Sequence, residues 1–235
     1  ISTKNIDFLN IIRGHIDTDA SLTKVIPTQG MPSSPHLDFA SEIKIKTKFP
    51  TFHASKINDV ATARHAVIEG KLDMVGMTRA HIADPHIVKK IINGMEDNIR
   101  PCVGATYCLD RIYEGNEALC IHNPATGRER FMPHEISIKA NYKKNIIIVG
   151  AGPSGLEAAK ISSERGHRVV VFEASNMPGG QLNLITRSKR RRDMIGIIDW
   201  RIKACKTNNV KFYFDTFATK EIILNENPDV IIIAT

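Results

Sequence analysis

The sequence lacks any apolar run long enough to cross a membrane, and it does not open with the charged and apolar segments of a secretory signal. Both absences argue against a membrane or secreted protein, so we expect a cytoplasmic location and no membrane partner. Cysteine is also scarce, at 4 of 235 residues, which excludes a small fold held by many disulfides. Three of the four lie within residues 102–120, and this clustering favours metal or redox chemistry.

Aromatic residues are absent from the most basic segment, residues 187–192 (RSKRRR), which contributes to a formal net charge of +7. Nucleic-acid-binding surfaces usually interleave basic and aromatic side chains, because bases stack on the rings. The segment therefore indicates a solvated loop, and we expect no nucleic-acid partner.

The length of the chain allows one large domain or two modest ones. The chain begins at Ile1 and ends in the apolar run 230–235 (VIIIAT), which predicts a buried strand with no polar tail after it. These features predict a fragment of a longer protein.

Residues 145–155 (NIIIVGAGPSG) combine an apolar strand with three glycines and precede a helical pattern, which predicts a dinucleotide-binding βαβ unit. Gly150 permits a tight turn, Gly152 lets a pyrophosphate approach the backbone, and Gly155 lets the helix pack on the strand. The start of the helix attracts phosphate charge. The predicted binding residues of this loop are Gly150, Gly152, Pro153, Ser154 and Gly155.

A second predicted strand, residues 168–172, ends at Glu173, where a carboxylate would accept hydrogen bonds from the adenosine ribose. A carboxylate would repel a 2′-phosphate, so this site favours FAD or NAD over NADP. Residues 177–182 (MPGGQL) follow, and we expect Gly180 and Gln181 to pass close to the cofactor. A similar element occurs in flavoproteins with two dinucleotide domains, which favours FAD, although a plain turn would use the same residues.

The first hundred residues alternate predicted strands and helices, which implies parallel pairing. The predicted strands are residues 6–12, 49–53 and 72–77, and the predicted helices are residues 37–46, 59–69 and 86–92. Polar side chains follow two of these strands, Ser55 and Lys56 after one and Thr78 and Arg79 after the next. In a (β/α)₈ barrel the loops after strands seven and eight form a phosphate site, and these residues fit that role.

Residues 73–85 (DMVGMTRAHIADP), followed by IRPC at 99–102, resemble the end of an old yellow enzyme barrel. The subgroup resembled adds an iron–sulfur loop and a dinucleotide-binding half, and it includes 2,4-dienoyl-CoA reductase and trimethylamine dehydrogenase. The resemblance implies an FMN whose phosphate is held by Ser55, Lys56, Gly76, Thr78 and Arg79. Many family barrels have glycine where Ser55 stands and arginine where Lys56 stands, so the lysine contact is a departure from the pattern.

The implied fold is α/β. Residues 1–98 form the C-terminal part of a TIM barrel, 99–143 a cysteine loop and linker, and 144–235 a truncated Rossmann-like FAD/NAD(P)-binding domain. The family loop carries four cysteines that ligate a [4Fe–4S] cluster. Three map onto Cys102, Cys108 and Cys120, whereas the remaining family position falls on Ala105.

Several outcomes are open at this loop. Asp110 or His122 could supply a fourth ligand, a [3Fe–4S] cluster could need three thiolates, or the cluster could be lost. A zinc site fits the spacing poorly. Cys205 lies in a predicted helix of the next domain and is interpreted as a small buried hydrophobe.

The resemblance implies a flavin-dependent oxidoreductase that moves electrons between FMN, an iron–sulfur cluster and a dinucleotide, FAD or NAD(P)H. FAD is the expected occupant of the nucleotide site, with ADP or NAD as the alternative. The favoured reaction is oxidative N-demethylation of a small methylated amine, with an electron-transfer flavoprotein or NAD(P)H as electron partner. NAD(P)H-dependent reduction of an enoyl thioester is the alternative, and a non-catalytic dinucleotide-binding module is a third reading. The family's acid–base residues lie on earlier barrel strands, so no catalytic residue is assigned.

Overall fold

A computed structural model describes residues 5–235, and the chain divides after Arg128 into two compact units. Each unit contains its own parallel sheet with helices, as alternating strand and helix patterns predict. Among the described residues, no helix combines the length and apolar character that crossing a membrane requires.

The first unit has a parallel sheet in the order β1-β2-β3 among its described residues. Its elements are β1 (Leu9–Ile11), α1 (Asp19–Val25), α2 (Leu37–Thr47), β2 (Thr51–His53), α3 (Val60–Ile68), β3 (Met74–Val75), α4 (Thr78–Ala83), α5 (Ile87–Ile92), a 3₁₀ turn (Glu96–Asn98) and α6 (Tyr107–Tyr113). The strands are shorter than the apolar runs that predicted them, because only part of each run pairs with a neighbouring strand.

Local signals explain several boundaries in this unit. Thr18 and Asp59 cap α1 and α3, and their side chains accept hydrogen bonds from the backbone N–H groups of Ser21 (3.3 Å) and Thr62 (2.7 Å). The buried core lies between the sheet and the helices α2 and α3. It consists of Ile11, Leu37, Ala40, Ile57, Ala63, Ala66 and Leu72.

The second unit has a parallel sheet in the order β6-β5-β4-β7. Its described elements are β4 (Asn145–Val149), α7 (Pro153–Glu164), β5 (Arg168–Phe172), α8 (Leu182–Ile185), a 3₁₀ segment (Lys189–Ile195), α9 (Gly196–Thr207), β6 (Lys211–Tyr213), α10 (Lys220–Asn225) and β7 (Val230–Ile233). The basic segment predicted as a loop is thus largely helical, and its arginine and lysine side chains are exposed.

The central strands of this sheet are fully buried, which accounts for their unbroken apolar sequences. Ile147 and Val170 are 0% exposed and pack with Phe172 and Ile223. Helix α7 packs on α9 through a buried ion pair, in which Arg201 Nε lies 2.7 Å from Glu157 Oε2. Cys205 is buried on α9, and its burial raises the pKa of the thiol to about 12, which fits the predicted role of a small hydrophobe.

Candidate functional sites

The carboxyl ends of β2 and β3 meet at one cavity in the first unit. The two strands are parallel neighbours, with Phe52 opposite Met74 and His53 opposite Val75. The residues that follow them therefore converge. A cavity of about 220 Å³ is lined by all five residues of the predicted phosphate site, Ser55, Lys56, Gly76, Thr78 and Arg79.

Ser55 and Arg79 offer donors to a ligand in this cavity. Ser55 is 5% exposed, and its hydroxyl is buried with no hydrogen-bond partner among the described residues. Arg79 donates one hydrogen bond to the carbonyl of Pro27 at 2.9 Å, which fixes the guanidinium at the cavity wall. A buried hydroxyl gains stability from a partner, so an anionic oxygen beside Ser55 would satisfy it.

Lys56 is held by the backbone. It has a φ of +52°, it is 6% exposed, and its ammonium donates to the carbonyl of Thr28 at 3.3 Å and to that of Met31. The same residue lines the cavity, and the two carbonyls fix the position of its ammonium. Gly76 is required nearby, because a Cβ there would lie 2.5 Å from the Cβ of Ala54.

The three cysteines of the loop line a second, narrow cavity. Cys102, Cys108 and Cys120 share it with Ala105 and with Arg79, which lines both cavities. In the described part of the chain, no group of three or more His, Cys, Asp or Glu side chains is spaced to hold a metal ion. The three cysteines thus line one cavity, but they are not spaced as ligands of a single metal ion.

Burial has the largest effect on the pKa values of two of these thiols, Cys102 and Cys108. It raises the pKa of Cys102, an effect that a hydrogen bond from Gly104 and the charge of Arg79 oppose. Burial likewise raises the pKa of Cys108, with the nearby Cys120 adding to it. Without a metal partner, both groups therefore favour the neutral thiol.

The cysteine loop is fastened to α4 and α5 by polar contacts that the sequence did not single out. Asp84 is 3% exposed and accepts hydrogen bonds from the N–H of Arg100 at 2.8 Å and from the ammonium of Lys90 at 2.7 Å. Thr126 donates to the carbonyl of Ile82 at 2.9 Å. The Asp-Pro turn signal at residues 84–85 was the available hint, but a turn does not specify these partners.

In the second unit the glycine loop has the tight geometry that its sequence predicts. Gly150 has a φ of +102°, and a Cβ there would lie 2.5 Å from the carbonyl oxygen of Ala234. Gly155 packs against the turn so closely that its Cβ would lie 2.0 Å from the carbonyl oxygen of Gly150. A Cβ on Gly152 would meet no atom within 4 Å. The loop therefore has free space beside Gly152, whereas Gly150 and Gly155 leave no room for a side chain.

The Gly179–Gly180 pair crosses the glycine loop. The N–H of Gly179 donates to the carbonyl of Ala151 at 2.9 Å, and a Cβ on Gly180 would lie 3.4 Å from the Cα of Gly152. Gln181 and Ser154 are exposed beside these segments, and Pro153 is the first residue of α7. The structure thus brings together the residues predicted for the dinucleotide site.

Glu173 is tied to the glycine loop as well as being placed at the end of β5. Its carboxylate accepts hydrogen bonds from the N–H of Ala151 at 2.7 Å, and from the N–H and hydroxyl of Ser175 at 2.9 and 2.7 Å. Burial alone would raise the pKa of this carboxyl, but the donors from Ser175 and Ala151 outweigh it and hold the pKa below its usual range. The carboxylate is therefore charged at neutral pH, and its hydrogen bond with the N–H of Ala151 helps to fix the glycine loop.

We expect Glu173→Gln to reduce the loss of folding stability that occurs as the pH is lowered. Since the pKa of Glu173 is lower in the folded chain, its stabilisation is complete above the unfolded pKa, about 4.3, and is lost as pH falls through the folded value. Unfolding temperatures measured from about pH 6 to about pH 3 should fall more steeply for the unsubstituted protein than for the variant. Parallel curves would show that the carboxylate contributes nothing. Glu135→Gln, at an exposed site, serves as the control.

Two family models match the chain, one in each unit. A sequence model of the NADH:flavin oxidoreductase / NADH oxidase family matches residues 9–98, and one of an NAD(P)-binding Rossmann-like domain matches residues 148–213. The first range contains the five residues predicted for the phosphate site, and the second contains the glycine loop and Glu173.

Among curated proteins, the chain is 64% identical over 230 residues to a probable N-methylproline demethylase of Rhizobium meliloti, covering 98% of this chain and 34% of that protein. It is 49% identical over 230 residues to a multifunctional alkene reductase/demethylase of Caballeronia cordobensis, covering 97% and 33%. The chain thus spans about a third of the length of these relatives.

Among solved structures, the chain resembles the 6-hydroxypseudooxynicotine amine oxidase of Pseudomonas geniculata N1, with a TM-score of 0.84 and 27% sequence identity. The match covers 89% of this chain and 32% of that chain.

Proposed function

Because this chain belongs to the NADH:flavin oxidoreductase / NADH oxidase family, we propose that it is part of a flavin-dependent enzyme that removes methyl groups oxidatively from a small methylated amine. The observation that carries the proposal is the combination of three features in one chain. They are a cavity lined by Ser55, Lys56 and Arg79, a second cavity lined by three cysteines, and a tight glycine loop at residues 150–155. The similarity to two proteins named as demethylases supports the choice of substrate class.

We propose that the cavity at Ser55, Lys56, Gly76, Thr78 and Arg79 holds the phosphate of FMN. The fit rests on the partnerless Ser55 hydroxyl and on the two cationic side chains that line the cavity. When bound, FMN would supply the hydride acceptor for oxidation of an N-methyl carbon. Hydrolysis of the resulting iminium would yield formaldehyde and the demethylated amine.

The role of Arg79 is testable by substitution. We expect Arg79→Gln to weaken FMN binding roughly 10- to 100-fold, because a charge-assisted hydrogen bond contributes about 1.5–3 kcal/mol. The measurement is FMN affinity of the full-length apoprotein, followed by flavin fluorescence. Lys89→Gln removes an exposed cation on α5 and should leave the affinity unchanged. An Arg79 variant with full FMN affinity would remove this residue from the proposed site.

We propose that Cys102, Cys108 and Cys120 hold an iron–sulfur cluster. A cluster takes its thiolates at separate iron atoms, so its ligands face one space without converging on a single point. Cys102, Cys108 and Cys120 line one cavity, which supports the proposal. The chemistry such a cluster supplies is transfer of single electrons. Iron and acid-labile sulfide analysis of anaerobically purified protein tests it, and absence of both would exclude the cluster.

We further propose that the glycine loop of the second unit binds FAD, with an ADP moiety as a smaller occupant. Gly152 faces open space where a pyrophosphate would lie, and the Glu173 carboxylate disfavours a 2′-phosphate. Electrons would leave to an electron-transfer flavoprotein or to a nicotinamide nucleotide. Mass spectrometry of the cofactor released from full-length protein identifies the occupant.

The reaction itself is tested by anaerobic reduction of the flavin in the complete enzyme. Bleaching by N-methylproline or dimethylglycine, with release of one formaldehyde per amine oxidised, is the expected result. Bleaching by NADPH alone, followed by reoxidation with an enoyl thioester, would instead support the alternative reductase. If the flavin is bleached by neither amine and not by NADPH, both proposed reactions lose their support. That result would favour a non-catalytic binding module.

A further inference from the structure

We infer that the basic segment of the second unit, residues 187–192, is a docking surface for an acidic redox protein that takes electrons from the enzyme. The inference rests on the proposed function and deepens it, because it names the surface and the charge of the electron partner. This partner accepts the two electrons that each amine oxidation delivers, and the two protons pass to solvent. The cationic residues of the segment are Arg187, Lys189, Arg190, Arg191 and Arg192.

The cations of the basic segment are free to pair with an external anion. All five are exposed, and within the part of the chain that the structure describes none of them forms an ion pair. Asp193, the carboxylate that follows them in sequence, is also exposed and pairs with none of them. Cations packed this closely in sequence repel one another and create a positive local potential. A set of carboxylates on a partner would neutralise that potential.

The basic segment is held in place by the fold of the second unit. The N–H of Arg191 donates to the carbonyl of Ser188 at 2.9 Å, and Met194 near the end of the 3₁₀ segment is buried. Helix α8 packs against the 3₁₀ segment, and its first residue, Leu182, donates its N–H to the carbonyl of Gly179 at 3.1 Å. Gly179 in turn donates to the glycine loop, so one short helix connects the basic segment to the proposed dinucleotide site.

The composition of this surface fits a protein partner. Leu184, on the helix α8 that packs against the 3₁₀ segment, is 61% exposed and offers an apolar contact beside the charges. Protein interfaces combine apolar contacts with a polar rim, and arginine is enriched in them. Arginine is also the commonest residue of the basic segment, and its planar guanidinium binds a carboxylate through two hydrogen bonds. The surface therefore suits a partner with carboxylates on its docking face.

Other anionic partners fit the basic segment less well. Nucleic acids stack their bases on aromatic side chains, and residues 187–192 contain none. Helices that lie on membranes present a face of large apolar side chains, whereas residues 187–193 are all polar and exposed. Small ligands are enclosed in concave sites, and exposed side chains do not enclose them. The observations favour a protein, and lipid binding is kept as an outcome of the test.

The test compares two triple variants of the full-length enzyme that lose the same charge. The first variant carries Arg190→Gln, Arg191→Gln and Arg192→Gln. The control variant carries, at exposed positions of the same unit, Lys143→Gln, Lys206→Gln and Lys220→Gln. The flavin is reduced anaerobically, and its reoxidation by a purified acidic electron-transfer flavoprotein is followed by stopped-flow absorbance at several salt concentrations. A small uncharged quinone is the second acceptor, because it needs no charged docking surface.

We expect the second-order rate constant with the electron-transfer flavoprotein to fall roughly 10-fold or more in the arginine variant at low salt. The reason is that electrostatic steering raises association rates by about 10- to 10³-fold. The difference should shrink at high salt, where exposed charges are screened. The lysine control should react like the unsubstituted enzyme, and reoxidation by the quinone should be equal in all three proteins. Equal rates with the flavoprotein, or an equal loss of rate with the quinone, would overturn the inference.

Two further measurements separate this inference from the alternatives. If the arginine variant keeps its rate with the flavoprotein but loses binding to phosphatidylcholine vesicles that contain phosphatidylserine, the segment binds lipid and the inference is wrong. Reduction of the flavin by N-methylproline or dimethylglycine reports on the proposed function by itself. If neither amine reduces the flavin, dithionite followed by gel filtration supplies the reduced enzyme. Docking is then tested even though the proposed reaction has failed.

Discussion

Gly155→Ala should destabilise the second unit by about 3 kcal/mol or more and leave the protein without a dinucleotide. The added Cβ would lie 2.0 Å from the carbonyl oxygen of Gly150 and 3.0 Å from its carbonyl carbon. These are backbone atoms at the end of a buried strand, so no flexible side chain can move aside. Alanine is favoured over glycine in a helix by about 1 kcal/mol, which is too little to offset the clash.

The measurements are the unfolding midpoint and the FAD content of the full-length variant. Gly152→Ala is the matched control, since Gly152 has a φ of −70° and a Cβ there meets no atom within 4 Å. We expect this variant to keep the unfolding midpoint of the apoprotein and to lose FAD, because its methyl group would occupy the open space proposed for the pyrophosphate. Equal stability of both variants and the unsubstituted apoprotein would show that the helix does not need the close approach at Gly155.

The glycine loop could be predicted from sequence because its requirements are local. A glycine is the residue that permits positive φ and close backbone packing, so Gly150 and Gly155 mark both conditions directly in the sequence. Residues 168–172 were predicted as a strand with the bounds that the structure has, because a fully buried parallel strand gives an unbroken apolar run. The strands of the first unit were overpredicted, since an apolar run does not show where pairing ends.

The details of the candidate sites could not be predicted, because they depend on contacts between residues far apart in sequence. The sequence indicated Glu173 as a ribose ligand, but not its hydrogen bond to Ala151 across 22 positions. The sequence likewise indicated Lys56 as a phosphate contact, but not the hydrogen bonds from its ammonium to the backbone carbonyls of Thr28 and Met31. Asp84 was not singled out, although it joins two helices to the start of the cysteine loop.

Asp84→Ala should destabilise the first unit by about 3–5 kcal/mol and lower the iron content of the protein. The carboxylate is 3% exposed and lies 2.7 Å from the ammonium of Lys90, which is itself 13% exposed. It also accepts from the N–H groups of His86 at 3.1 Å and Arg100 at 2.8 Å. Alanine removes the negative charge from beside a largely buried ammonium, and breaking a buried pair from one side is strongly destabilising.

The effect on iron follows from position, since Arg100 lies two residues before Cys102. With its N–H no longer held to Asp84, the start of the loop loses the contact that fixes Cys102 relative to α4 and α5. Urea unfolding and iron analysis of full-length protein should therefore change together. Asp38→Ala is the control, because Asp38 pairs with Lys71 at 2.8 Å but is 86% exposed, and exposed pairs contribute little. If Asp84→Ala lost stability but kept full iron content, the cysteine loop would hold its shape without this anchor, and Asp84 would be a residue of the fold alone.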